Sequence, residues 1–152
     1  MSLWKKLTLT FAMVLAILAS PAAAFDRDAS EVHRIVFQVS DNNPGTFTKV
    51  LNNINNLSSF FLERGEEYEI EVVAYNAGLH MLRVDTSDVL ERVNGMAASV
   101  PNLTFSACGN TIQGMSKQAG KEIEITDAAG VVPGGIIRLM ELEHQGYFHI
   151  RP

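Results

Sequence analysis

From His33 to Ser40 the chain reads His-Arg-Ile-Val-Phe-Gln-Val-Ser, a short run rich in β-branched and aromatic residues that closes on Asp41-Asn42-Asn43-Pro44-Gly45. Turn formers after such a run predict a strand and its loop. At Thr46 the period changes. Phe47, Val50, Leu51, Ile54, Leu57 and Phe61 recur at helical spacing, polar residues fill the positions between, and Gly65 stands where a helix C-cap belongs. This is an amphipathic helix of about five turns. Glu69 to Tyr75 holds Ile70, Val72, Val73 and Ala74, which suits a strand covered on both faces. Residues 76–86 read as a long loop. Ser87 or Asp88 then caps a helix whose apolar face is Val89, Leu90, Val93, Met96, Ala97 and Val100, and Pro101-Asn102 stops it.

A third short strand covers 103–107, and Cys108-Gly109-Asn110 turns the chain into a helix carrying Ile112, Met115 and Ala119, ended by Gly120. Residues 121–127 are charged and give no firm assignment. Val131-Val132 is a brief fourth strand, Pro133-Gly134-Gly135 opens a last helix, and residues 147–150 form the final strand. Strands alternating with crossover helices predict an α/β domain with a mainly parallel five-stranded sheet and helices on both faces. One sequence does not disclose the strand order.

The first 24 residues follow a different logic. Lys5 and Lys6 precede an apolar run from Leu7 to Ala19, and Ala22-Ala23-Ala24 supplies the small residues that a signal peptidase reads. The expectation is a secretory signal peptide over 1–24, cleaved after Ala24, then a linker over 25–32 and the domain over 33–152. An uncleaved membrane anchor is the alternative, because Leu7 to Ala24 carries no charge and a bilayer core needs about 20 apolar residues. Cleavage predicts a periplasmic protein with no stable membrane insertion. It leaves ten basic and seventeen acidic residues, a net charge of −7 with no basic cluster. That balance argues against nucleic acid, whose binders need a basic face to displace counterions.

In an oxidising compartment cysteines are normally paired or absent, and this chain has Cys108 alone. It is therefore a buried spectator, an intermolecular link or a reactive thiol. Its place favours reactivity: ligands of open α/β sheets bind at the carboxyl ends of strands. Unpaired N–H groups and the positive end of the following helix dipole favour a thiolate there. Gly109, Asn110 and Thr111, at the helix start, are the candidate anion-binding residues. His80 is a candidate partner to orient or deprotonate the thiol, against the simpler reading of an exposed loop histidine. Arg138 and Arg151 either face a sulfur anion or pair with surface acids. His33, His80, His144 and His149 show no metal spacing, Gly134-Gly135 lacks the Lys-Ser/Thr of a phosphate loop, and no cofactor motif is present.

Four motifs taken together resemble the DsrE/DsrF-like family: residues 72–79 (Val-Val-Ala-Tyr-Asn-Ala-Gly-Leu), 105–111 (Phe-Ser-Ala-Cys-Gly-Asn-Thr), 131–142 and the closing 146–152. The resemblance runs over most of 33–152 and looks closest to that family's exported, single-cysteine branch. It implies a three-layer α/β/α domain in a flavodoxin-like arrangement and assembly into homo-oligomers. It also implies a cysteine that accepts and passes on sulfane sulfur as a persulfide, the role of a sulfur carrier or sulfurtransferase, with donor and acceptor unnamed. Many relatives carry His-Gly where this chain has Tyr75-Asn76. The competing expectation is a non-catalytic oligomeric binding or assembly module of the same fold, with Cys108 inert in its core.

Overall fold

The computed structural model describes residues 32–152; the expected signal peptide and all but the end of the linker lie outside the described residues. Strand β1 (His33–Val39) leads into helix α1 (Pro44–Arg64). The Asn43 side chain caps that helix by accepting from the N–H groups of Gly45 and Thr46, with Pro44 in the first turn. The helix thus starts two residues before the change of period at Thr46, because a cap and a preset proline φ serve as well as an apolar position. It ends at Gly65, whose φ of 67° is the left-handed conformation of a glycine cap.

Strand β2 (Tyr68–Ala74) follows, and after it the predicted loop is instead a 3₁₀ helix over Asn76–Leu82. Leu79, Met81 and Leu82 are fully buried there. Their irregular spacing matches neither the 3.6-residue nor the two-residue period, which hid the element from a pattern reading. The remaining elements are α2 (Leu90–Ser99), β3 (Leu103–Cys108), α3 (Gly109–Ala119), β4 (Ala129–Val132), α4 (Gly135–His144) and β5 (Phe148–Ile150). Helix α2 begins after Val89, which takes the cap position in place of Ser87 or Asp88; the Ser87 hydroxyl accepts from the Val89 N–H at 3.3 Å and donates to the Met81 carbonyl at 2.6 Å. Among the described residues no helix is long and apolar enough to cross a membrane.

All five strands are parallel, in the order β4-β3-β2-β1-β5. This differs from the 2-1-3-4-5 order of flavodoxin, although the parallel α/β build is the expected one. The order explains the layers. Three successive crossovers from β1 to β4 step the same way across the sheet, and right-handed connections place their helices on one face. The crossover from β4 to β5 steps back past β1, so α4 lies on the other face. The packing follows: Phe37, Ile70, Val72 and Phe105 meet α1, the 3₁₀ helix and α2 in the larger core, with Ile112 and Met115 of α3 beside them. Val36, Val73, Tyr75 and Cys108 meet Leu139 and Leu142 of α4 in the smaller one.

Candidate functional site

Strands β3 and β4 are neighbours, with Cys108 opposite Val132, yet their following helices leave to opposite faces of the sheet. A crevice must open between two such loops, and this is where open α/β sheets bind ligands. Cys108 is the last residue of β3 and the N-cap of α3, so it stands at the mouth of that crevice. Across from it Gly134 caps α4. Two helix N-termini, those of α3 and α4, thus converge on one sulfur.

Close packing holds them there. The Asn110 N–H donates to the Pro133 carbonyl at 3.2 Å, tying the start of α3 to the loop before α4. A Cβ on Gly109 would lie 3.1 Å from the Val132 carbonyl oxygen, and one on Gly135 would lie 2.6 Å from the Cβ of Tyr75. Only glycine lets α4 begin this close to Tyr75, the residue that follows β2. Asn76 adopts a φ of 48°, a left-handed conformation that asparagine tolerates better than most residues. Its N–H donates to Thr111 Oγ1 at 3.0 Å. Because that oxygen already accepts from Asn76, its own proton is free to point at the sulfur.

Cys108 lines a cleft of about 610 Å³ with Tyr75, Asn110, Thr111, Gly135, Ile136 and other residues, none of them charged. The residue is only 5% exposed. Burial is the largest single influence on the thiol and pushes its pKa up. Opposing it are the Thr111 hydroxyl and the backbone N–H groups of Gly135, Thr111 and Asn110; together they prevail and hold the thiol below the ordinary value. The anion is therefore favoured by dipoles and not by a cationic side chain. A larger cavity of about 740 Å³ lies along the outer side of β4, with Glu122, Glu124 and Asp127 in its wall, but no cysteine, serine or histidine lines it.

No family model matches the chain, and no curated protein matches it. Among solved structures it is similar to a protein of unknown function from Methanobacterium thermoautotrophicum, with a TM-score of 0.67 and 26% sequence identity over 79% of this chain and 99% of that one.

Of the residues singled out by sequence, Cys108, Asn110 and Thr111 come together as expected from their adjacency. Gly109 serves the close approach of α3 to β4. His80 does not line the cleft. It sits in the 3₁₀ helix with Nδ1 2.8 Å from Thr86 Oγ1, and burial, then the Arg83 charge, pushes its pKa down. Arg138 does not line the cleft either and is held by Glu71 and Glu141. Gly135 and Tyr75 were not identified as site residues in the sequence. The signal for Gly135 was its place after a strand and at a helix start, the same signal that marked Cys108. Among the described residues, no group of three or more His, Cys, Asp or Glu side chains is placed to hold a metal ion.

Proposed function

We propose that this chain is an exported sulfur-carrying protein that binds sulfane sulfur on Cys108. The single observation that carries the reading is the convergence of two helix N-termini and the Thr111 hydroxyl on that sulfur, in a cleft without charged side chains. Thiolate character is what a sulfur-accepting nucleophile requires. In the proposed step the Cys108 thiolate attacks the outer sulfur of a persulfide R–S–SH. The new bond joins Sγ to that sulfur, the donor's S–S bond breaks, and its electron pair leaves with the thiolate RS⁻. The product is Cys108–S–SH, and no external oxidant or reductant enters. Its terminal sulfur, once deprotonated, is an anion that the same N–H groups favour. Handing the sulfur to an acceptor thiolate reverses the scheme.

The resemblance to the DsrE/DsrF-like family and the N-terminal pattern support the rest of the proposal: cleavage after Ala24, a periplasmic location and assembly as a homo-oligomer. Ile136, Ile137 and Met140 on α4 are each more than half exposed, an apolar strip beside the cleft that a second subunit would cover. The second reading, an inert cysteine in an assembly module, is favoured by the 5% exposure of Cys108. Incubation of the reduced protein with a persulfide donor separates the two. The carrier gains one sulfur atom, about 32 Da, on Cys108, removable by reductant and absent in Cys108→Ser. No adduct in the folded protein refutes the carrier reading.

A further inference from the structure

The face of the sheet covered by α4 contains a buried ion pair that the proposed sulfur chemistry does not use. Glu71, on the central strand β2, is 4% exposed. A carboxylate so placed is tolerated only when its oxygens are satisfied. Ser106 Oγ donates to Oε1 at 2.6 Å, Arg138 Nε donates to the same oxygen at 2.8 Å, and Arg138 Nη2 donates to Oε2 at 2.7 Å. This is the two-point fork by which arginine fixes orientation as well as distance.

The positions of the three residues matter more than the energy of the pair. Ser106 precedes Cys108 by two residues on β3, so both project from the same face of the sheet. Arg138 lies three residues after Gly135, and its N–H makes the first-turn bond to the Gly134 carbonyl at 2.9 Å. The chain Ser106–Glu71–Arg138 therefore joins the strand that carries the cysteine to the turn of α4 that faces it. An apolar trio would hold the helix down about as well, but it would leave the helix freer to slide and rotate.

We propose that Ser106, Glu71 and Arg138 are positioning residues that lock the first turn of α4 against β3, and that this lock sets the reactivity of Cys108. The proposal rests on the reading of Cys108 as a nucleophile. No Asp, Glu, Lys, Arg or His lines the cleft, so the lock acts through the placement of the Gly135 N–H.

The test is the pH profile of Cys108 alkylation by iodoacetamide in the folded protein, for the wild type, for Glu71→Gln/Arg138→Met and for Arg138→Lys. The double variant removes both charges of the buried pair at once; Glu141, which also loses Arg138, is more than half exposed, and solvent screens its charge. Its midpoint should rise by about half a unit to one unit, with the rate at neutral pH falling about three- to tenfold. Arg138→Lys, which keeps the charge without the fork, should shift less in the same direction. A folded double variant that titrates with the wild type overturns the proposal. If the double variant does not fold, Arg138→Lys decides: a raised midpoint supports the lock, and an unchanged one overturns it. A wild-type midpoint at the ordinary thiol value overturns the nucleophile reading and the lock with it, whereas a low wild-type midpoint unmoved by the variants overturns the lock alone.

Discussion

Replacing Gly135 with alanine adds one methyl group where α4 touches Tyr75, just beyond β2. That carbon would stand 2.6 Å from the Cβ of Tyr75 and 2.9 Å from its Cγ. A ring can swing, but a Cβ is fixed to its backbone, so the first turn of α4 must move. Overpacking of this kind costs about 1–3 kcal/mol, partly offset by up to about 1 kcal/mol from alanine's better helix propensity. A net loss of about 1–2 kcal/mol lowers Tm by about 4–10 °C in a domain of this size. The same displacement draws the Gly135 N–H away from Cys108, so the thiol midpoint should rise by several tenths of a unit. Urea unfolding gives the first number and iodoacetamide rates against pH give the second. Gly95→Ala is the matched control: beyond its chain neighbours and the helix's own backbone no atom lies within 4 Å of its added methyl, so in the middle of α2 it should stabilise by about 0.5–1 kcal/mol. If Gly135→Ala is as stable as the wild type and its thiol titrates unchanged, α4 is not seated on Tyr75 and the argument for the site fails.

Thr111→Val removes the hydroxyl that accepts from Asn76 and faces the sulfur; it should cost about 1 kcal/mol and raise the thiol midpoint, read by the same two assays. Asn76→Gly should be neutral or slightly stabilising in urea unfolding, and Asn76→Val should lose about 1–2 kcal/mol, because the φ of 48° excludes β-branched residues. Cys108 has a folded pKa below its unfolded value, so its ionisation contributes stability that is complete above the unfolded pKa and lost as pH falls through the folded one. The stability of wild type relative to Cys108→Ser should therefore increase as pH rises from 7 to about 9. Tyr147 is pushed up to about 12, by burial first and then by its hydrogen bond to Glu69. Its contribution is complete below the unfolded value near 10 and is lost as pH rises toward 12, so Tyr147→Phe should flatten that alkaline loss in thermal unfolding.

The sequence disclosed what is local. A helical period closed by Gly65, and a cysteine between a strand and a helix, are written in neighbouring residues, so α1 and the setting of Cys108 were readable. The part of the site that comes from α4 was not, because it depends on β4 lying beside β3 and on the last crossover reversing direction. Glu71 and Arg138 are 67 positions apart, and nothing near either marks the other. His80 misled for the opposite reason: it stands near the site in sequence, but the 3₁₀ helix carries it to Thr86.

The outermost strand has a consequence for how the protein matures. β5 pairs with β1, so Phe37 meets Ile150 across more than a hundred residues, and that pairing draws the closing segment of the domain to its opening one. Contacts this distant in sequence form late, since the loop they close is the most costly in entropy. Helix α4 is the tether of β5 and docks with it. Until that happens, the cysteine has one helix end beside it and none opposite. A chain that has not yet docked α4 would therefore hold a Cys108 thiol with fewer N–H groups around it, and the full set would arrive as the last event of folding.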